Sequence, residues 1–559
     1  MGHSNFRRTL SVGEVIVKSF VEHGVQRAFC VPGESYLAIL EAIREQGDAF
    51  DLVVCRHEGG AAYMAEASGR ITGKPGICLV TRGPGACNAA IGVHTAQHEG
   101  TPMILLVGDV TRGTKGQFAF QDIDLHQLYG GMAKQVLEIQ KADDAYDVMD
   151  QAFRIATTGR PGPVVIGVPD DVQFDEVPCR ETAHRQELPW KTDLSHDVAE
   201  VADRLAAAQR PLLVVGGTGW TQQASSRLAN FAERLGIPVA STFRRHDLLD
   251  NRSESYVGSI GIFTPPTLHD YLTTSDLIIS ISGTFGEIET ARYKRMVTPS
   301  PSRYLVHVAR EMAEFDGAVA PDLAIIGDAE NFCNALNQQE PACNPLWNRH
   351  RQTLRAGYMA YSEPVDFGDR INPASAVSAL AQRLPERTIV TLGAGNYTHF
   401  VLRHHPFHEL NTLLAPVCAP MGYSIPAAIS AAMQCPAQEV VAYAGDGCFL
   451  MNAQELVIAV KRRLKLTVIV MNNGIYGSIR MHQEFRYPGR PIATNLDNPD
   501  FVQFANSMGI PARRIDDPRE LSETWQTMRR STDGPIFIEM STDPAIINTE
   551  RLIQPGQPQ

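Results

Sequence analysis

The sequence predicts an α/β protein built from three doubly wound parallel-sheet domains. Short apolar runs of strand type alternate with helical stretches along nearly all of the 559 residues. Two polar stretches without periodicity, Pro178–Asp197 and Gln338–Phe367, interrupt this alternation and are interpreted as connectors. Each of the three resulting blocks has the length of an ordinary domain. We therefore expect domains at residues 1–180, 195–337 and 368–550.

Each block contains apolar runs that are typical of buried parallel strands. In the first block these runs are Leu52–Cys55, Ile77–Thr81, Met103–Val107 and Val164–Val168, with a helical pattern at Gly59–Arg70. In the second block they are Pro211–Gly217, Ile237–Ala240, Leu277–Ile281 and Ala324–Gly327. In the third block they are Thr388–Leu392, Glu439–Tyr443, Leu466–Met471 and Ile536–Glu539.

Composition and charge exclude several classes of protein. The chain carries 50 Lys and Arg against 62 Asp and Glu, a net charge of −12, and has no basic block that would bind nucleic acid or anionic lipid. No apolar run is long enough to span a membrane, and no apolar run of secretory type follows Arg7-Arg8. The ten cysteines are scattered without CxxC pairs or metal-ligand spacing. We expect a cytoplasmic protein with reduced cysteines.

The most informative segment of the chain is Gly445-Asp446-Gly447, which follows a predicted strand and precedes a predicted helix at Ala453–Arg463. The next predicted strand, Leu466–Met471, is followed by Asn472-Asn473, and Asn473 lies 27 residues after Asp446. Parallel strands end at the same sheet edge, so Asp446 and Asn473 are expected there together. Their oxygens suit Mg²⁺, while the glycines and the helix N-terminus suit a diphosphate. A Gly-Asp-Gly tripeptide alone would indicate only a turn; the spacing and context favour a site.

This segment resembles the signature of thiamine-diphosphate-dependent enzymes. The resemblance implies that Asp446, Asn473 and the main-chain oxygen of Ile475 bind Mg²⁺, and that the cofactor supplies the chemistry. Arg56-His57-Glu58 at the start of a small-residue helix resembles the motif of the acetohydroxyacid synthase and pyruvate oxidase branch. In that family a buried Glu hydrogen-bonds the cofactor's aminopyrimidine, which makes Glu58 the expected activating acid. Taken alone, Glu58 could be a helix-dipole partner.

Further segments extend the resemblance over nearly the whole chain, including the order of pyrimidine-binding, central and diphosphate-binding domains. Ala419-Pro420-Met421 resembles the stretch in which an apolar residue bends the cofactor, although Met421 alone could be a core methionine. Phe120-Gln121 matches residues that border the substrate. The cofactor-binding residues so implied are Glu58, Gly395, Asn396, Tyr397, Ala419, Met421, Gly445, Asp446, Gly447, Cys448, Asn473 and Tyr476.

Several positions depart from acetohydroxyacid synthases. Asp170 stands where those enzymes usually have Lys, and Thr284 and Ile288 stand where they have two arginines. The missing cations weaken the case for FAD and for a second carboxylate-bearing acceptor. His482 lies near the position of the synthases' substrate-selecting tryptophan. It is a candidate acid or base, although it could equally be a surface histidine, and Arg480 is a candidate carboxylate contact.

The resemblance implies a Mg²⁺-dependent enzyme that cleaves or forms a C–C bond beside a carbonyl. We expect it to decarboxylate a 2-oxo acid, with possible ligation to an acceptor; Glu58, His482 and Gln121 are the expected catalytic residues, and Phe120, Gln121, Arg480 and His482 the substrate contacts. The alternatives are a lyase acting on a 2-hydroxyacyl-CoA or an acyloin, and a non-catalytic homologue. In the family the active sites lie at a subunit interface, so a homodimer or homotetramer is expected.

Overall fold

The computed structural model describes residues 9–180, 193–294, 300, 302–341, 343–368, 370, 372–546 and 549–553. These residues group into two compact units. The first unit contains residues 9–180 together with Ile425–Cys435 and Asn452–Arg462, and the second contains the rest. Most of the predicted connector Pro178–Asp197 lies outside the described residues. Within the described residues, no helix is both long enough and apolar enough to cross a bilayer.

The first unit is built around a six-stranded parallel sheet with the strand order β3-β2-β4-β5-β7-β6. The first strand, β1, and the last strand, β8, form a separate two-stranded antiparallel sheet. The strands are β1 (Thr9–Ser11), β2 (Arg27–Cys30), β3 (Asp51–Val54), β4 (Gly76–Thr81), β5 (Met103–Asp109), β6 (Gln135–Glu138), β7 (Pro163–Pro169) and β8 (Glu176–Pro178). The helices are α1 (Val12–Glu22), α2 (Leu37–Glu45), α3 (Glu58–Thr72), α4 (Arg82–Glu99), α5 (Leu125–Tyr129) and α6 (Ala145–Thr157).

The second unit contains two further six-stranded parallel sheets, and the first of these has the order β11-β10-β9-β12-β13-β14. Its strands are β9 (Pro211–Val215), β10 (Val239–Ser241), β11 (Tyr256–Ser259), β12 (Leu277–Ile281), β13 (Tyr304–Ala309) and β14 (Leu323–Ile326). Its helices are α7 (Ser195–Ala207), α8 (Gln222–Leu235), α9 (Pro266–Thr274), α10 (Ala329–Asn337) and α11 (Pro345–Ser362).

The third sheet has the order β16-β15-β17-β18-β20-β19. Its strands are β15 (Ile389–Leu392), β16 (Leu413–Leu414), β17 (Val440–Gly445), β18 (Leu466–Asn472), β19 (Ala512–Ile515) and β20 (Ile536–Ser541). The helices of this part of the chain are α12 (Pro373–Ala381), α13 (Tyr397–His404), α14 (Ser424–Gln434), α15 (Asp446–Phe449), α16 (Leu456–Lys461), α17 (Gly477–Arg486), α18 (Phe501–Ser507) and α19 (Leu521–Ser531). The three parallel sheets confirm the predicted fold class, whereas the domain boundaries stay predictions.

Residues of the third block also complete the first unit. In α14, the Ser430 hydroxyl donates to the main-chain oxygen of Met64 at 2.8 Å. After α16, the Arg462 guanidinium pairs with Asp51 at 2.6 Å. The helices α14 and α16 therefore pack within the first unit, although they lie in the third block of the sequence.

The predicted connector at Gln338–Phe367 is wrong over most of its length, because α11 occupies Pro345–Ser362. The Asn344 side chain caps this helix by accepting from the Leu346 N–H, and Pro345 is its first residue. Trp347 is fully buried in the core of the central sheet and donates its indole N–H to the Ala208 carbonyl at 3.0 Å. The segment is polar in composition because most side chains of α11 lie on its exposed face. On the opposite face, the two buried side chains Trp347 and Leu354 hold the helix against the core.

We expect Trp347→Ala to lower the midpoint of thermal unfolding by on the order of 10 °C, because it opens a cavity and removes the bond to Ala208. Arg349→Ala on the exposed side of the same helix is the matched control and should change the midpoint by only about 1 °C. Differential scanning fluorimetry of the full chain measures both. Equal, small shifts for the two variants would contradict the packing of α11 described here.

Candidate active site

The carboxyl ends of β15, β17 and β18 form the edge of the third sheet at which the predicted metal and diphosphate residues lie. The strand order runs outward in opposite directions from β15 and β17, so this pair is the topological switch point of the sheet. Ligands of open α/β sheets bind at such a point, outside the carboxyl ends of the strands. Gly393 follows β15, Asp446 follows β17, and Asn473 follows β18.

Asp446 is buried, with 3% of its surface exposed, and its carboxylate is surrounded by donors. Oδ1 accepts from the Gly447 N–H at 3.0 Å, and Oδ2 accepts from the Gly474 N–H at 2.9 Å. Oδ2 also accepts from the Asn498 side-chain amide at 2.8 Å. Burial raises the pKa of Asp446, and these hydrogen bonds oppose the rise. A cation beside this carboxylate would favour its charged form in the same way.

The turn after β18 brings further oxygen donors to this edge. The Asn473 side-chain oxygen accepts from the Ile475 N–H at 3.2 Å, and Gly474 lies at a φ of 67°. Ile475 forms an isolated antiparallel bridge with Asn495, which ties the turn to the following loop. The Asp446 carboxylate bonds the main chain of this turn at Gly474. One carboxylate, one amide and one main-chain carbonyl are hard oxygen donors, which fit Mg²⁺.

No group of three or more His, Cys, Asp or Glu side chains lies close enough together to bind a metal ion within the ranges described. The predicted metal site is of a different kind, because only Asp446 among its three donors belongs to those residue types.

The turn after β15 faces the same edge and has the features of a phosphate cradle. Gly395 lies at a φ of 129°, a conformation that other residues rarely adopt. Asn396 accepts from the Ser478 hydroxyl at 2.7 Å, which joins this turn to α17. The Tyr397 hydroxyl accepts from the Gly393 N–H at 2.8 Å, and burial raises the pKa of Tyr397, so its hydroxyl stays protonated.

Two further contacts close the cradle around the Gly-Asp-Gly turn. A side chain at Gly447 would place its Cβ 2.5 Å from the ring of Tyr476, so only glycine permits this approach. Cys448 lies beneath the turn, where its sulfur accepts from the Gly422 N–H at 3.2 Å and lies 3.6 Å from the Tyr397 hydroxyl. The cradle therefore consists of backbone that approaches closely and buried side chains that set its shape.

Ala419 and Met421 lie on the segment between β16 and α14. Ala419 has a φ of 48°, which is unusual for a residue with a side chain and indicates backbone strain. Its N–H donates to the main-chain carbonyl oxygen of Pro416 at 2.9 Å. Met421 is half-buried and packs against the core of the third sheet. Core packing and the predicted contact with the cofactor are both compatible with this position.

Glu58 is the first residue of α3, immediately after the turn that follows β3 in the first unit. It is half-buried, and its Oε2 accepts from the Asn88 side-chain amide at 2.9 Å. His57 caps the helix, because its Nδ1 accepts from the Gly59 N–H at 2.9 Å. Glu58 and the metal edge lie in different units of the chain.

Phe120 and Gln121 lie on the long segment between β5 and α5 of the first unit. The Phe120 ring is exposed, and Gln121 adopts a φ of 65°. The main-chain oxygen of Gln121 accepts from the Gly83 N–H at 2.9 Å, which ties this segment to the start of α4.

His482 and Arg480 lie on α17 of the second unit. His482 is exposed. The Arg480 guanidinium donates to the Thr494 hydroxyl at 2.8 Å and to the Asn495 side chain, so it braces the loop that follows α17. Their predicted contacts with a substrate stay predictions.

Three residues that sequence reasoning missed contact the candidate site residues. Asn498 bonds Asp446 and also donates to Asn472 at 3.1 Å. Asn88 bonds Glu58, and Glu455 accepts from the two N–H groups that precede Glu58. None of the three belongs to a motif that the sequence analysis identified.

Three family models match the chain in the order of its three sheets. The N-terminal TPP binding domain of thiamine pyrophosphate enzymes matches residues 10–128, the central domain matches residues 198–336, and the C-terminal TPP binding domain matches residues 393–540. Glu58 lies within the range matched by the N-terminal domain, and the Asp446–Ile475 segment lies within the range matched by the C-terminal domain.

Several acetolactate synthases are similar to the chain over nearly its whole length. Isozyme 2 large subunit of Escherichia coli (strain K12) is 30% identical over 552 residues, which cover 97% of each chain. The large subunit of Parasynechococcus marenigrum (strain WH8102) is 31% identical over 555 residues, 96% of this chain and 88% of the relative. Acetolactate synthase of Bacillus subtilis (strain 168) is 29% identical over 539 residues, 95% of this chain and 93% of the relative.

We expect Asn498→Ala to weaken the binding of Mg²⁺ in the presence of thiamine diphosphate about tenfold, because Asp446 loses the amide that orients it. Titration of Mg²⁺ followed by cofactor-induced circular dichroism measures the affinity. Asn506→Ala, at an exposed position of α18, is the control and should bind like the unmodified chain. Unchanged Mg²⁺ affinity in Asn498→Ala would show that this contact does not support the site.

Proposed function

Because the chain belongs to the thiamine pyrophosphate enzymes and is acetolactate synthase-like, we propose that it decarboxylates a 2-oxo acid and joins the remaining acyl unit to a second carbonyl compound. The observation that carries this proposal is the presence of both cofactor-binding parts in one chain. Glu58 begins α3 in the first part, and Asp446 lies among donors at the switch point of the third sheet. The alternative of a lyase for acyl-CoA or acyloins is not favoured, since the similar proteins named above are acetolactate synthases.

Thiamine diphosphate, when bound, supplies the electron sink that the loss of CO₂ from a 2-oxo acid requires. In the proposed site Asp446, Asn473 and the carbonyl of Ile475 bind Mg²⁺, and the glycine turns around Gly395 and Gly447 admit the diphosphate. Glu58 would hold the proton that it shares with the aminopyrimidine, and Asn88 keeps the Glu58 carboxylate oriented by donating to Oε2. Hydrogen bonds that fix an acid in this way contribute to general acid–base catalysis through geometry as well as through pKa.

Exposed apolar side chains support the proposal that the chain works as a homodimer or a larger assembly. Phe118 and Phe120 are exposed on the first unit, with relative exposures of 104% and 73%. On the second unit, Tyr487 and Ile492 follow α17 and are also exposed. Such exposed apolar side chains, close together in the sequence on each unit, are compatible with interfaces between subunits. We expect light scattering of the purified protein to give the mass of at least two chains.

A flavin is not part of the proposal. Thr284 and Ile288 stand at the positions of two synthase arginines, and both are exposed in the segment that follows β12. The three matched family descriptions name only thiamine pyrophosphate. We expect the purified protein to lack flavin absorbance near ~450 nm after reconstitution with FAD and gel filtration, as the missing cations weaken anion binding.

The central test is CO₂ release by the full chain with thiamine diphosphate and Mg²⁺ from a panel of 2-oxo acids, beginning with pyruvate. We expect release from at least one acid, and Glu58→Gln should lower kcat by roughly two or more orders of magnitude because the acid can no longer share its proton. Glu45→Gln, an exposed carboxylate at the end of α2 in the same unit, is the matched control and should retain activity.

Analysis of the products separates the possible second steps. Formation of acetolactate from pyruvate would identify a second 2-oxo acid as the acceptor of the acyl unit. Formation of an aldehyde would show that the acyl unit is protonated instead of being joined to an acceptor. Release of CO₂ that does not depend on Glu58, or turnover of acyl-CoA thioesters without any turnover of 2-oxo acids, would overturn the proposal.

A further inference from the structure

Glu455 is a fully buried carboxylate that none of the predicted catalytic roles uses. It ends the helical turn Ala453–Glu455, directly before α16, in a segment that belongs to the first unit. Its Oε1 accepts from the main-chain N–H groups of Arg56 and His57, both at 3.0 Å. Its Oε2 accepts from the Arg56 N–H at 3.1 Å. These two residues immediately precede Glu58.

The first turn of α3 is shaped to admit this carboxylate. A Cβ at Gly60 would lie 2.9 Å from Oε1 of Glu455 and 3.0 Å from its Cδ. A side chain at position 60 would therefore push the carboxylate away from the Arg56 and His57 N–H groups. Gly60 is needed for this close contact, in addition to any role that it has in the helix.

The Glu455 carboxylate is buried, and burial disfavours its charged form. Burial raises the pKa of Glu455 to about 7, while the N–H groups of Arg56 and His57 and the charge of Arg56 lower it. An apolar side chain would avoid the desolvation of a carboxylate, but it would leave these two N–H groups without the acceptor that Glu455 provides. The carboxylate and the turn thus form a matched pair.

The position of the Glu58 carboxylate depends on the main chain between the end of β3 and the start of α3. His57 is the extended N-cap residue of α3, and the main chain bends at Arg56 and His57, between the end of β3 and Glu58. Asn88 fixes the side chain of Glu58 at Oε2, and Glu455 fixes the main chain that carries it. A displacement of about 1 Å in such a group can lower a rate about a hundredfold.

We propose that Glu455 is a positioning residue for Glu58: its side-chain oxygens anchor the 56–57 main chain and so set the geometry in which Glu58 meets the cofactor. This inference rests on the proposed role of Glu58, and it requires a hydrogen-bond acceptor at position 455 rather than a negative charge. A glutamine retains an acceptor oxygen that both N–H groups can reach, whereas alanine retains none.

The experiment compares the full-length chain with Glu455→Ala, Glu455→Gln and Glu455→Asp. The first readout is hydrogen exchange of the Arg56 and His57 amides in the protein without cofactor, measured by mass spectrometry. The second is the rate at which the C2 proton of bound thiamine diphosphate exchanges for deuterium with Mg²⁺ present and no substrate. Thr101→Val is the matched control, because it removes a buried hydrogen bond to Glu66 of the same helix α3.

We expect Glu455→Ala to speed exchange of the two amides at least about tenfold and to slow C2 exchange about tenfold or more, since Glu58 loses its set position. The side chain in Glu455→Asp is one methylene shorter, so its carboxylate does not reach the N–H groups of Arg56 and His57, and the same changes are expected. This variant replaces Glu455→Ala in the test if the alanine variant does not fold. Glu455→Gln should return both rates to within about threefold of those of the unmodified chain. Thr101→Val should lower thermal stability and leave both rates unchanged.

The inference is overturned if Glu455→Ala or Glu455→Asp folds, binds the cofactor and exchanges the C2 proton at the rate of the unmodified chain. It is also overturned if Glu455→Gln is as slow as Glu455→Ala, because charge and not the hydrogen bond would then matter. The proposed function fails in a different way: the unmodified chain would show no C2 exchange, or an exchange that Glu58→Gln leaves unchanged.

Discussion

A carboxylate that lies out of water must have donors pointed at it, and this constraint shapes both cofactor-binding parts of the chain. Asp446 accepts from the main chain at Gly447 and Gly474, and Glu455 accepts from the main chain at Arg56 and His57. In each case the donors come from a turn that follows a parallel strand. The turns can approach so closely because glycine stands where a side chain would collide, at Gly447 and at Gly60.

The hydrophobic pattern was sufficient to locate most central strands, because their residues are buried on both faces. The run Leu277–Ile281 is β12 with the predicted bounds, and every residue of it is buried. The strands β1, β2, β6, β8, β11, β13, β16 and β19 were not predicted. Of these, β2 and β6 are short and begin with the charged or polar residues Arg27 and Gln135. α11 was taken for a connector because its exposed residues outnumber the buried ones, although Asn344-Pro345 is a recognisable helix start.

Some residues of the candidate site belong to short sequence motifs, and others reach the site only through contacts between distant parts of the chain. Glu58, Asp446 and Asn473 could be predicted because each follows a strand within a short motif. Glu455 contacts Arg56 across 399 residues of sequence, and Asn498 contacts Asp446 across 52. Such contacts leave no periodicity or spacing in a single sequence, since they arise when separate elements pack. The contacts of an acid such as Glu455 or an amide such as Asn498, which belong to no motif, are therefore visible only in the fold.

The departure from the synthases at Asp170 fits the local structure, and it bears on the proposed acceptor step. The Asp170 carboxylate accepts from the Thr111 hydroxyl at 2.8 Å and lies 3.4 Å from the guanidinium of Arg82. A lysine here would place a second cation beside Arg82 and remove the acceptor for Thr111, so the acidic residue fits its surroundings.

With Thr284 and Ile288 also uncharged, three positions at which the synthases have cations provide none. None of these three positions is among the residues proposed to bind and activate the cofactor. In the proposed reaction, the acceptor of the acyl unit is consequently the part in which this chain can differ most from the acetolactate synthases that it resembles. An acceptor without a second carboxylate needs no cation at those positions.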